Sequence, residues 1–174
     1  EEIKIEGGDI IIHNDFIFIG YSDDNSYKVS RTSPESIQFI QKHFPDKEVL
    51  GFNLFKDDDD PFKSVLHLDC AMQPVGKENI IIYEEGFKNI NELDKLKKIF
   101  GKNNMIQIDE NEMYQGCSNI FSISNDVVVS DSTFTRLNSI LKSLNIKVEE
   151  VYYREISKFG GLFRCSTLPI NRSD

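Results

Sequence analysis

Hydrophobic residues in this chain fall in short runs separated by polar turns, and the runs recur in one order. Gly8-Asp9-Ile10-Ile11-Ile12 and Phe16-Ile17-Phe18-Ile19-Gly20 flank His13-Asn14-Asp15, a strand, turn, strand pattern. Residues 21–30 are polar and read as a loop. Ser33-Pro34-Glu35 then opens a helix, with proline at its first position and Ile37, Phe39, Ile40 and Phe44 at helical spacing. Residues 48–55 read as a strand. The same order returns with strands at 64–67 and 79–83 around Gln73-Pro74-Val75-Gly76, a helix at 90–100 carrying Leu93, Leu96 and Phe100 on one face, and a strand at 105–109. A third round predicts strands at 119–124 and 127–130, a helix at 133–144 and a strand at 147–152. A strand-strand-helix-strand unit recurring every ~50 residues predicts an α/β (α+β) architecture of stacked or radial modules, since one unit alone cannot bury its apolar face.

Composition narrows the function classes. With 174 residues, 39% hydrophobic and 28% charged, and a mean hydropathy of −0.37, the chain reads as a soluble globular domain. Its formal net charge of −9 disfavours nucleic acid and anionic membrane as partners and suits a cationic ligand. No apolar run approaches a membrane span. Cys70, Cys117 and Cys165 form no CxxC or Cys/His cluster, so neither a disulfide framework nor a metal site is expected, and a reducing, cytoplasmic setting is the default. The chain opens without Met, and its first five residues already alternate like a strand ending at Glu6. It reads as a piece of something longer. The carboxylate run Asp57-Asp58-Asp59-Asp60 lacks the spacing of a calcium loop and reads as a solvated turn.

Candidate chemistry lies in three separated places. Near the C-terminal end, Gly160-Gly161-Leu162-Phe163-Arg164-Cys165-Ser166-Thr167-Leu168-Pro169 puts a cysteine on a bend beside two glycines, where a reactive thiol fits better than a core one, although a structural cysteine is the other reading. His67 and Asp69 in Leu66-His67-Leu68-Asp69 share a face if the segment is a strand, so one could move protons while the other binds a cation. Glu6-Gly7-Gly8-Asp9 offers a carboxylate that could orient an imidazole, with Asp9 as either a ligand or a turn residue. His13 and His43 read as surface residues. Gly7-Gly8 lacks the pattern of a nucleotide loop.

In this combination and order, Glu-Gly-Gly-Asp, His-Leu-Asp and Gly-Gly-x-x-Arg-Cys-x-Thr-x-Pro resemble the guanidine-modifying (pentein) superfamily of arginine deiminases, dimethylarginine dimethylaminohydrolases and amidinotransferases, over residues 5–169. The resemblance implies a pseudo-symmetric α/β propeller of five modules, of which this chain, as the C-terminal part of a single catalytic domain, would hold about three, roughly 1–56, 57–110 and 111–174. The missing N-terminal modules would lie in the same or a separate chain. It also implies that Cys165 attacks a guanidinium carbon, His67 protonates the leaving amine and later activates water, Glu6 holds His67, and Asp69 with Asp9 binds the guanidinium. Arg31, in a Gly-x-Ser-x-Arg-Thr-like segment interrupted by an insertion, would bind an amino-acid carboxylate or lie on the surface. Asn119 matches a family position that is either structural or lies just behind the reacting groups. The implied activity is arginine deiminase-like hydrolysis of a guanidino small molecule without cofactor or metal, with amidino transfer or an inactive binding module as alternatives, and the nearest resemblance is to bacterial amidinotransferase-like proteins. A homodimer is left open.

Overall fold

The computed structural model describes residues 3–24 and 26–170. The segment 3–6 is coil that joins no sheet, its backbone bonded to Thr32 and Ser33, and the rest of the expected first strand, Glu1 and Glu2, lies outside the described residues. Gly7–Asp9 forms a single 3-10 turn, so Gly8 and Asp9 precede the strand instead of starting it. Strand β1 (Ile10–His13) then pairs antiparallel with β2 (Phe16–Tyr21) across a turn in which Asn14 takes a left-handed φ of 50°. Helix α1 (Glu35–His43) crosses back to β3 (Glu48–Asn53), which runs parallel to β2. Pro34 stands just before the helix. Ile37 and Ile40 pack on Ile17, Ile19 and Val49, whereas Phe39 and Phe44, at the same nominal spacing, stay exposed.

The second sheet begins later than its sequence pattern suggests. Residues 64–67 are coil, α2 (Leu68–Ala71) is a single helical turn, and the strand is β4 (Met72–Val75). Gln73-Pro74-Val75 is therefore strand, not turn. Pro74 is accommodated because β4 is an edge strand with only β5 (Asn79–Ile82) as neighbour, so its missing N–H breaks no second ladder. Helix α3 (Ile90–Phe100), capped by the Asn89 side chain on the Asn91 amide at 3.0 Å, leads to β6 (Met105–Gln107), parallel to β5. Helix α4 (Glu110–Tyr114) opens with a reciprocal capping box between Asp109 and Glu112. The third sheet is β7 (Phe121–Ser122), β8 (Val127–Asp131) and, after α5 (Thr135–Ser143), β9 (Lys147–Val151); α6 (Arg154–Ser157) follows.

Three separate open sheets thus share one order: an antiparallel pair, a helix, and a strand parallel to the middle one. Each is followed by a one-turn helix, α2, α4 or α6. Ile80, Ile81 and Ile82 on β5 are fully buried, and a single core joins Phe18 and Phe52 through Ile80 and Leu96 to Val128 and Leu141. Each such side chain contributes about 1.5–3 kcal/mol of burial. Among the described residues no helix is long and apolar enough to cross a membrane. The acidic run is a turn: Asp57 accepts the Asp59 and Asp60 amides at 2.9 Å each, and Asp58 accepts the Lys28 amide at 3.0 Å.

Candidate active site

The chemistry-bearing residues sit at junctions between sheets, and polar contacts tie these junctions together. Asp9, in the turn before β1, accepts the Leu68 amide at 2.9 Å on one carboxylate oxygen and the Thr32 hydroxyl at 2.6 Å on the other. The Ser118 hydroxyl, before β7, lies 2.9 Å from the Asp69 carbonyl and 2.7 Å from that of Cys70. Asn119 reaches the last junction. Its side-chain oxygen accepts the amides of Leu162 at 3.1 Å and Cys165 at 3.2 Å, and its NH2 donates to the Cys165 sulfur at 3.2 Å.

Cys165, His67 and Asp69 line one cavity of about 770 Å³, together with Gly7, Gly8 and Arg164. That volume is in the range of small-molecule sites. His67 lies on the backbone of Gly8, where a Cβ would fall 2.7 Å from the imidazole Cγ and Nδ1, so no larger residue fits there without moving the ring. At Gly161, with φ of +78°, a Cβ would lie 2.6 Å from Cys165 Cβ and 3.0 Å from its sulfur. Nε2 of His67 hydrogen-bonds Glu6 Oε2. Burial pushes the Glu6 carboxyl up, but bonding and charge from His67, with help from Arg31, outweigh it and hold Glu6 below the ordinary carboxylate range.

The thiol is not poised as a thiolate. Burial, then the charge of Asp69 at 4.0 Å, push the Cys165 thiol up; the Asn119 hydrogen bond and Arg164 pull the other way without prevailing. No hydrogen bond joins His67 to Cys165 among the described residues. Both line the same cavity, a space that a reacting group could enter. If the Asn119 donor supports the charged sulfur, Asn119→Ala raises the thiol further. Iodoacetamide labelling of Cys165 at pH 7 is then expected to slow by about tenfold, the equivalent of one hydrogen bond to a charged group. Peptide mass spectrometry separates this from Cys70 and Cys117, whose thiols burial also raises.

The other expected residues fall differently. Asp69 is 1% exposed and carries a partner the sequence did not suggest: Arg164 Nε donates to its Oδ2 at 3.2 Å, while Arg164 Nη2 donates to the Ile10 carbonyl at 2.6 Å. Burial raises the Asp69 carboxyl and the Arg164 guanidinium works against that rise. Asp69 belongs to α2 and His67 caps its start, so the pair meets through a helical turn and not through strand alternation. Asp9, also 1% exposed, is not brought to the cavity wall; its oxygens are taken by Leu68 and Thr32, and burial pushes its carboxyl up. Arg31 stands behind His67, 3.5 Å from the same Glu6 oxygen that His67 binds. His43 is exposed, as expected, whereas His13 is half-buried against Phe100, and burial pushes its imidazole down. Among the described residues no cluster of three or more His, Cys, Asp or Glu side chains is placed to hold a metal ion. Asn119 carries little signal in the sequence: a buried amide beside a glycine and a cysteine looks like any turn.

The chain is 26% identical over 173 residues to the uncharacterized protein YkgA of Bacillus subtilis (strain 168), covering 99% of this chain and 54% of YkgA. It is 27% identical over 211 aligned residues to an arginine deiminase of Bacillus cereus (strain B4264), covering 99% of this chain and 48% of the deiminase. The chain thus spans about half the length of the curated relatives it matches. Among solved structures, the product-bound N-terminal domain of ArgZ, an arginine dihydrolase from the ornithine-ammonia cycle in Cyanobacteria, shares the fold with a TM-score of 0.75 at 23% identity, over 92% of this chain and 54% of that one. The family model described as N,N dimethylarginine dimethylhydrolase, eukaryotic, matches residues 1–172, and the chain belongs to that family within the guanidine-modifying (pentein) superfamily.

Proposed function

We propose that this chain carries the catalytic groups of a hydrolase acting on the guanidino group of arginine or a related compound. The observation that carries this reading is the convergence of Cys165, His67 and Asp69 on one cavity from segments nearly a hundred residues apart, with Glu6 behind the imidazole and Asn119 on the sulfur. A guanidinium entering the cavity brings positive charge between Asp69 and the thiol, which opposes the effects that keep Cys165 protonated. The Cys165 proton passes to His67, the sulfur bonds to the guanidinium carbon, and the protonated His67 returns the proton to the departing nitrogen as its C–N bond breaks. The amidino-thioether left behind is attacked by water deprotonated by His67. The C–S bond then breaks, giving a ureido product and the free thiol. Glu6 supports the imidazolium throughout, and Arg31 holds Glu6 ionised instead of binding substrate directly.

Arginine is favoured over its dimethylated form because Asp69 offers a carboxylate, and an unmethylated guanidinium has more N–H donors to meet it. In this reading the three sheets are modules of a five-module propeller. The remaining modules, in the rest of the full-length protein or in a separate chain, cover the side where Leu168 and Ile170 stand 84% and 94% exposed. A reduced Cys165 suits a cytoplasmic setting.

The test is a product assay on the full-length protein with arginine, methylated arginines and agmatine, beside Cys165→Ala. Ureido product with ammonia or methylamine, absent in the variant, is the expected result. An amidino group appearing on an added amine in place of ureido product moves the assignment to amidino transfer. No turnover, with an unreactive Cys165, overturns the enzyme reading in favour of a binding module.

A further inference from the structure

Lys56 has no part in the steps above, yet it is 4% exposed and its ammonium is the deepest cation near the cavity. It follows β3, and its Nζ donates to the carbonyls of Val65 at 2.8 Å and Leu66 at 2.6 Å, the two residues that lead into His67. On the far side of His67 the next amide, Leu68, is held by Asp9. His67 therefore sits between two backbone anchors, one a buried cation and the other a buried anion. The charged and titratable groups acting on Lys56 are Asp9, which gives the strongest attraction, then Cys70, Glu6 and Arg31, the last repulsive; burial pulls its ammonium down. A buried lysine without a carboxylate in direct contact is costly, and here the two carbonyl hydrogen bonds and the charges of Asp9 and Glu6 offset that cost.

We propose that Lys56 is a positioning residue, whose ammonium fixes the Val65-Leu66 backbone and so aims His67 into the cavity. The assignment rests on the guanidino-hydrolase reading, which gives His67 its work. Displacement of a proton-transfer group by about 1 Å lowers rates by up to about 10²-fold, while the Asp69 carboxylate, held separately by Arg164, keeps its place and with it the substrate affinity.

The test compares Lys56→Met and Lys56→Arg with the unmodified full-length protein, using arginine turnover and backbone hydrogen exchange. Lys56→Met is expected to lower kcat by about ten- to a hundredfold with KM within about twofold. Lys56→Arg, which keeps a cation, is expected to recover several-fold of that loss. Exchange should accelerate in residues 64–71 while β2 and β5 keep their protection. An unchanged kcat in Lys56→Met, or a fall in kcat accompanied by faster exchange throughout, overturns the proposal and leaves the hydrolase reading intact. If the unmodified protein turns over no guanidino compound, the hydrolase reading falls; the exchange arm then decides the positioning claim alone, local loss at 64–71 supporting it and unchanged protection overturning it.

Discussion

Cys165→Ala in the full-length protein is expected to abolish formation of the ureido product, with kcat falling by about 10⁴-fold or more, the scale of losing the nucleophile in a covalent mechanism. The fold should survive. Cys165 lies on a surface turn with its sulfur directed inward, where among the described residues it hydrogen-bonds Asn119 and Asp69, and the Asn119 oxygen still holds the Leu162 and Cys165 amides when the sulfur is gone. Binding should survive as well, because Asp69 and the cavity walls are untouched. Isothermal titration of the variant with arginine is therefore expected to show retained affinity beside absent turnover. Loss of binding together with turnover would mean that the thiol is part of the cavity's architecture and not its nucleophile.

Asp69→Asn should move two measurements in opposite directions. In the free protein the negative charge of Asp69 disfavours a negative sulfur 4.0 Å away, and this adds to burial in raising the thiol. Removing the charge lowers the thiol's pKa and leaves Arg164 without its anion, which lowers it again. Iodoacetamide labelling of Cys165 at pH 7 should accelerate, and its pH profile should shift to lower pH. Turnover of arginine should nevertheless fall, by about 10²-fold or more in kcat/KM, since losing one partner of a buried charge pair costs about 2–5 kcal/mol. A purely structural Asp69 would predict slower labelling and slower turnover together, through a loosened site. The two rates, measured on one preparation, decide between these roles.

The same contact bears on how substrate enters. The Arg164 guanidinium already occupies Asp69 Oδ2, so an incoming guanidinium either uses the remaining lone pairs or displaces a group of its own kind.

Regular structure was largely legible in the sequence because its signal is local. The apolar run before each turn and the Leu93, Leu96, Phe100 stripe of α3 follow periodicities that a packed core enforces. The failures lie where tertiary contacts decide. Residues 64–67 look like a strand, but the Val65 amide bonds Phe55 and the Val65 and Leu66 carbonyls go to Lys56, leaving no ladder to join. The one-turn helices α2, α4 and α6 are too short to show a period. Cys165 and His67 were legible as candidates because glycines and short polar motifs surround them. The pairing of Arg164 with Asp69 leaves no sequence signal, since it depends on the turn at residues 163–166, which lets the Arg164 side chain reach Asp69 while Cys165 faces Asn119. Lys56 was invisible in a different way: it abuts four aspartates in sequence, which suggests a solvated charge cluster, and only the fold turns it inward.

The gathering of Cys165, His67, Asp69 and Glu6 at the junctions between the sheets divides the chain by mutational tolerance. A library scored for activity should return four narrow intolerant windows, around 6–9, 65–70, 117–119 and 161–165, and the single position Lys56, set in a background filtered mainly by hydrophobicity. Drift across that background can carry sequences far apart while the windows hold still, so proteins with this chemistry should be traceable through a few dozen characters long after the remainder has become unrecognisable.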